Sequence, residues 1–346
     1  MKLFHLRHVP WLDSQLIYHA QPRVNVEGIN ILAPDSPYVC IGYHQNLEQE
    51  VDLEYCRAHQ IPVFRREVGG GAVFLDGDQI FYHIVIHKEN PLAVGGKADF
   101  FKRMLEPVAQ TYQDLGIPSK FSPVNDVITE DGRKIAGTGA VEIEDYIILV
   151  GNLIADFDYE TMSRVLRVPD EKYRDKVFKS MRENLTTIKR EIGRLPSWDE
   201  MVEPLLNNYE KVLGKLEDTS LPGIVREKMN DLEPEYLLDD WLFKKHRQSA
   251  NRDVKIASGV NIVQRIHKAP GGLIRASYEL KGGVISDISI SGDFFTYPSE
   301  AITSLENALS GIRLDEITDQ VHNFYAEGEV EIPDITPQDW QEALAG

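Results

Sequence analysis

The residues most able to do chemistry in this chain of 346 residues lie in the run Arg65-Arg66-Glu67-Val68-Gly69-Gly70-Gly71-Ala72-Val73-Phe74-Leu75-Asp76. Three glycines in a row between two strands carry an entropic penalty that ordinary packing does not reward. Their physical use is to bring a backbone close to a ligand with its amide N–H groups turned inward, a nest that suits a phosphate or carboxylate. Arg65 and Arg66 can add planar, permanently charged donors to the same anion. A tight turn with its arginines in solvent would leave the same pattern. The second stretch is Asn125-Asp126-Val127-Ile128 followed by Asp131-Gly132-Arg133-Lys134-Ile135-Ala136-Gly137-Thr138-Gly139-Ala140. Its Asp-Gly pair signals a hairpin turn that would present Lys134 at the start of a strand with small neighbours. An ammonium there can reach a carboxylate or phosphate as a point charge; a solvated hairpin lysine is the plain alternative.

The elements that must position these groups read as follows. Tyr38–Gly42 is a short apolar run and predicts a buried strand, and residues 47–59 carry a helical period with Val51, Leu53 and Cys56 inward. Ile61–Arg65 and Gln79–His87 predict strands, 97–115 an amphipathic helix, and Lys134–Ala155 a hairpin. Residues from about 159 to 230 read as mostly helical. Strands and helices mix without regular alternation, which favours an α+β fold. The polar stretch 248–253 suggests a boundary, with strands at Val260–His267, Gly272–Leu280 and Val284–Ile290 beyond it and helices near 299–310 and 337–344. The expected division is a catalytic domain over 1–248 and a small α+β domain over 254–346.

Composition limits the rest. A formal charge of -18 argues against a nucleic-acid partner. No apolar run reaches the roughly 20 residues of a membrane span, and the N-terminus lacks the pattern of a signal peptide, so a cytoplasmic protein is expected. Two cysteines, Cys40 and Cys56, are too few for a disulfide framework or a four-thiolate zinc site. Val94-Gly95-Gly96-Lys97-Ala98 lacks the first glycine and the Ser/Thr of a phosphate loop and reads as a helix start. Gly137-Thr138-Gly139 is too short for a dinucleotide fingerprint. His83 and His87 share one face of their strand without an evident third metal ligand. The basic run 244–247 reads as a solvated junction, or as a surface for an acidic partner domain.

Taken in order, RR-x-x-GGGAVF-x-D and then, some fifty residues on, ND with DGRK-I-x-G, resemble lipoate–protein ligases. Ile41-Gly42-Tyr43-His44-Gln45-Asn46 is similar to that family's G-x-x-Q-N turn, and Gly271-Gly272-Leu273-Ile274 with Ile290-Ser291-Gly292-Asp293-Phe294-Phe295 to its C-terminal accessory domain. The resemblance implies a biotin/lipoate ligase-like catalytic domain, a mixed sheet flanked by helices, related to class II synthetases. It implies ATP and Mg2+ as cofactors, lipoate as substrate, and transfer through lipoyl-AMP to a lysine of an acceptor. That acceptor would be a lipoyl domain of a 2-oxoacid dehydrogenase E2, a glycine-cleavage H protein or a related lipoate-binding protein. Lys134 would be catalytic; Arg66, Gly69, Gly70, Gly71, Ala72, Asn125 and Asp126 would bind the acyl-adenylate, with Asp76, Gly137 and Thr138 as further candidates. Magnesium would sit near Asp126 rather than in a protein cage.

The sequence departs from the family pattern at three places. Val68 replaces a Ser or Thr, Leu75 a His, and Val150-Gly151-Asn152-Leu153 stands where His-Gly-Thr-Leu is common. These changes bear on the nucleotide contacts and on the acyl group. Two other readings compete with a ligase: an ATP-independent octanoyl or lipoyl transferase working through a cysteine thioester, and a carrier-binding homologue without activity. The first needs an activated thiolate, whereas Cys40 lies in an apolar strand and Cys56 in a helix. The GRGRxGRxW pattern of biotin ligases does not occur.

Overall fold

Lys2–Val9 (β1) and Gly28–Pro34 (β2) pair in parallel within a six-stranded sheet. The structure, a computed structural model, describes residues 1–123, 125–245, 255–257, 260–327 and 330–345. It divides into two compact units. One holds Met1–Cys40, Asp52–Phe64 and Val73–Leu238; the other holds Ile41–Val51, Arg65–Ala72 and Asp239–Gly346. The stretch 248–253 that suggests a boundary, with His246 and Arg247 of the basic run, lies outside the described residues.

Tyr38–Ile41 (β3), Val63–Arg65 (β4) and Val73–Leu75 (β5) form a small three-stranded sheet in the order β4-β3-β5, of which all but the terminal Ile41 and Arg65 lie in the first unit. Gln79–His87 (β6) belongs to the large sheet. A second small sheet comprises Ser119–Ser122 (β7), Asp126–Thr129 (β8) and Lys134–Ala136 (β9). Thr138–Ile143 (β10), Tyr146–Ile154 (β11) and Glu217–Asp218 (β12) complete the large sheet, whose order is β10-β11-β6-β2-β1-β12. Its pairings are antiparallel from β10 to β2 and parallel at β2–β1 and β1–β12. This is a mixed sheet, as expected. Helices Asp13–Arg23 and Gly223–Tyr236 cover one face: Tyr18 meets His83 edge-on at 4.8 Å, and Tyr236 meets His19 at 5.0 Å. Helices Gly96–Asp114 and Trp198–Leu213 cover the other, where Tyr209 lies 5.8 Å from Tyr82 and donates to the Met104 carbonyl. Sandwiched this way, the strands alternate little: β2 is buried throughout, and β6 is buried up to Ile86.

In the second unit, Lys255–Ala257 (β13), Val260–Ala269 (β14), Gly272–Lys281 (β15) and Val284–Gly292 (β16) form an antiparallel meander. Helices Ala301–Leu309, Ile317–Glu327 and Pro337–Ala345 accompany it, and Ile274, Ile290, Phe294, Leu305, Val321 and Trp340 share one core. Together with the first unit, this confirms the α+β class.

Several elements differ from the expectations. The helix foreseen over 47–59 is two short ones, Leu47–Glu50 and Leu53–Ala58, because Val51 is extended and Asp52 caps a new start by accepting from the Tyr55 N–H. The Ile61–Arg65 strand begins only at Val63. The Lys134–Ala155 hairpin is three strands, with Gly137 separating β9 from β10. The helix Ile317–Glu327 was not anticipated. Gly95, at φ 107°, does open the long helix expected there, and Lys97 pairs with Glu142. Among the described residues no helix is long and apolar enough to cross a membrane.

Candidate active site

Lys134 stands at the head of β9, and the turn that delivers it is built as Asp-Gly requires. Gly132 takes φ +86°, Thr129 N–H donates to the Arg133 carbonyl (2.9 Å), and Arg133 pairs with Asp131 at 2.7 Å. The strand is anchored along its length. Thr186 N–H donates to the Lys134 carbonyl at 2.8 Å, and the Tyr112 hydroxyl donates to the Ile135 carbonyl at 2.7 Å. Ile135 and Ala136 are fully buried, so only Lys134 can point outward. Its ammonium lies 2.6 Å from Asp126 on the paired strand, with the two side chains 39% and 35% exposed. A half-exposed pair of this kind contributes at most about 1 kcal/mol, so an incoming anion can compete for the ammonium at little penalty.

Around this pair, Asn125 donates its amide to the Thr138 carbonyl (2.7 Å), and the Thr138 hydroxyl donates back to the Asn125 carbonyl. Gly137 N–H donates to Asn152 Oδ1 (2.8 Å), Asn152 Nδ2 to Gln79 Oε1 (2.6 Å), and Gln79 Nε2 to the Phe74 carbonyl (3.1 Å) and Asp76 Oδ1 (3.4 Å). The first unit thus gathers Asp76, Asn125, Asp126, Lys134, Gly137 and Thr138. It adds Gln79 and Asn152, which the sequence reading missed. Only the position of Asn152, two residues after the anomalous Val150, hinted at them.

Burial is the main reason the Asp76 carboxyl is pushed from 3.8 up to about 6. The Asp78 N–H opposes the shift, the Asp78 charge adds to it, the Gln79 amide opposes it, and the Asp158 charge adds again. The folded protein therefore keeps a proton that the unfolded chain gives up between about pH 4 and 6, and stability falls as pH rises through that window. Asp76→Asn should remove the loss. At pH 7.5 the variant is expected to be more stable by on the order of 1–2 kcal/mol, after discounting for partial exposure. The gain should vanish near pH 4, and thermal melts at the two pH values measure it.

Arg66, Gly69, Gly70, Gly71 and Ala72 fall in the second unit. Arg66 Nη2 donates to the carbonyls of Gly69 (2.7 Å) and Gly71 (2.9 Å), folding the loop around its own guanidinium. Gly70, at φ +87°, donates its N–H to the Phe294 carbonyl at 3.1 Å. A Cβ on Gly42 would collide with the Gly70 carbonyl, so close chain packing explains part of this glycine pattern. That amide is thus already occupied within the protein, unlike the open nest expected from the sequence. The two arginines also do not act together. Arg65 is fully buried, and its guanidinium donates to the carbonyls of Gly42, Tyr43, Gln45, Trp241 and Leu242 at 2.7–3.1 Å. Its planar fork suits that cluster of oxygens, and none of it faces a ligand.

The replaced polar positions are packed. Val68 is 1% exposed and Leu75 9%, and half-buried Val150 lies opposite His83 on β6. His83 is buried, its imidazole held neutral at about 3 chiefly by burial and then by the nearby His19. Its Nδ1 has no hydrogen-bond partner among the described residues. Among the described residues no three metal-binding side chains cluster. Exposed Lys244 sits over Tyr43, 3.6 Å from the ring centre, whereas Lys245 is buried against Glu306 at 2.9 Å, so of these two only Lys245 is packed rather than solvated.

Comparison with known proteins decides the family. The model described as the lipoyl protein ligase A/B catalytic domain matches residues 12–210, and that of the bacterial lipoate protein ligase C-terminus matches 262–344. The chain belongs to the lipoate–protein ligase family. The lipoate–protein ligase LplJ of Bacillus subtilis is 28% identical over 284 residues, 80% of this chain and 78% of its own. The octanoyltransferase LipM of Kyrpidia tusciae is 26% identical, over 67% of this chain and 92% of its own. Among solved structures, the bipartite lipoate protein ligase of Thermoplasma acidophilum, described with its E2 lipoyl domain, aligns with a TM-score of 0.64 at 26% identity, over 72% of this chain and 98% of that one. The family therefore contains both ligases and transferases, and this chain is similar to both.

Proposed function

We propose that this member of the family is an ATP-dependent lipoate–protein ligase, which forms lipoyl-AMP and passes the lipoyl group to a lysine of a lipoyl-domain acceptor. The observation that carries the choice is the state of the thiols. The chain has two cysteines, Cys40 and Cys56, 0% and 1% exposed, and burial pushes the Cys56 thiol up to about 11. A thioester mechanism needs a thiolate that substrate can reach, and a ligase needs none. The match to the accessory C-terminal family model, and alignment with the Bacillus ligase over a larger share of this chain than with the transferase, support the same reading.

The residues suit such a reaction. A free carboxylate is a poor acyl donor because oxide would have to leave. Its oxygen attacks the α-phosphorus of ATP, pyrophosphate departs, and the mixed anhydride now carries AMP as a good leaving group. Lys134 supplies a positive charge to the acyl carbonyl and the phosphate as negative charge builds there. Asp126 orients that ammonium, and its carboxylate would hold a magnesium ion arriving with the triphosphate, which would offset phosphate charge and needs only one or two protein oxygens. In the second step the neutral amine of the acceptor lysine attacks the acyl carbon, AMP leaves, and an amide forms.

The test is incubation with lipoate, Mg-ATP and isolated lipoyl domains, followed by intact-mass measurement of the acceptor. Acylation should require ATP. Acylation from an octanoyl carrier without ATP would favour the transferase. Replacing both Cys40 and Cys56 by alanine should leave the ATP-dependent rate unchanged while lowering stability by about 1 kcal/mol per site; loss of turnover in a folded double variant would count against the ligase.

A further inference from the structure

Asn152 and Gln79 form a side-chain chain between parts of the site that are far apart in sequence, and its polarity is fixed by its ends. Gly137 N–H can only donate, so Asn152 must turn its oxygen there and its amide toward Gln79. Gln79 must then present its oxygen to Asn152 and its amide to the Phe74 carbonyl and the Asp76 carboxylate, which only accept. Every link is consistent with one orientation, and both side chains are buried, Gln79 at 1% and Asn152 at 8% exposure. Asn152 also grips Gly137 through the main chain, its N–H donating to the Gly137 carbonyl at 3.2 Å. Gly137 joins β9 to β10, so whatever fixes it fixes the far end of the strand that carries Lys134.

We infer that Asn152 and Gln79 are positioning residues for the chemistry at Lys134, a one-way hydrogen-bond relay tying the lysine strand to the Asp76 turn. This rests on the ligase reading for the identity of the reaction. Transition-state stabilisation by a fixed cation depends on placement to within a fraction of an ångström. β9 is also held at Lys134 and Ile135 by Thr186 and Tyr112, and at Ala136 by its pairing with β8; the relay adds a side-chain hold at Gly137, just past its far end. Threonine at this position would carry a hydroxyl one bond shorter than the amide and could not bridge to Gln79.

Asn152→Thr tests the relay, since it keeps a polar side chain beside Gly137 and cuts the link to Gln79. In lipoate-dependent ATP–pyrophosphate exchange, its kcat should fall about tenfold or more, with the KM values for ATP and lipoate within about twofold of the parent. Gln79→Leu should do the same, and the double variant should be no worse than either single one, as for two links of one chain. A second readout does not depend on the reaction. The charged and polar groups facing Asp76 are Asp78, Asp158 and Gln79, and Gln79→Glu, which replaces the amide donor by a carboxylate, should move the Asp76 window in the stability–pH profile upward. Unchanged kcat in folded Asn152→Thr, or multiplying losses in the double variant, would overturn the inference. Should the parent show no exchange with lipoate and ATP, the ligase reading fails, and an unchanged stability–pH profile in Gln79→Glu would then reject the relay by itself.

Discussion

Lys134→Ala is expected to lower the rate of adenylate formation by about 10²–10³-fold, roughly 3–4 kcal/mol of transition-state stabilisation, in line with removal of a preorganised charge from a reacting centre. The fold should survive, because the side chain is 39% exposed and its pair with Asp126 contributes at most about 1 kcal/mol. Lys134→Arg should not restore the rate: a guanidinium is broader and planar, and cannot stand in for a compact point charge. Pyrophosphate exchange in the three proteins, alongside their thermal melts, measures the effect. Near-parental exchange in a folded alanine variant would remove Lys134 from the catalytic role.

Arg65→Leu should have the opposite signature, a loss of stability. The guanidinium is fully buried and satisfies five main-chain carbonyls, two of them from Trp241 and Leu242. Leucine leaves those acceptors without their donors, at about 1–3 kcal/mol each if none relaxes. Partial rearrangement and water entry reduce the sum to an expected 3–5 kcal/mol, roughly, a large part of an ordinary domain's stability. Denaturant melts would read this. Arg66→Ala, which loses two hydrogen bonds to the loop at Gly69 and Gly71, should destabilise less. Adjacent arginines of one motif would thus separate cleanly, the first holding the chain together and the second shaping the glycine loop.

The contrast between these two arginines also shows what a sequence can convey. Residue type announces a cation, but only the fold tells whether solvent or carbonyl oxygens surround it. Elements with a clean period were readable: Gln79–His87 came out residue for residue, and Asp131-Gly132 marked its turn because only a few residues tolerate φ +86°. The helix Asp13–Arg23 was not readable. Every residue from Ser14 to Pro22 is buried, so no polar face alternates with an apolar one. Likewise Val51-Asp52 looks helical by pattern, and a local cap overrides it. The lysine motif could be located because its residues are neighbours in the chain. Asn152 and Gln79 are 73 residues apart and joined only by sheet register, so no local signal could have paired them.

Lipoate-dependent exchange of labelled pyrophosphate into ATP, with no acceptor protein present, tests the central claim most directly. An acid-activating ligase should exchange label only when lipoate and ATP are both supplied, and the Lys134→Ala protein should do so hardly at all. No exchange by the parent, together with ATP-independent acylation of a lipoyl domain from an octanoyl carrier, would contradict it.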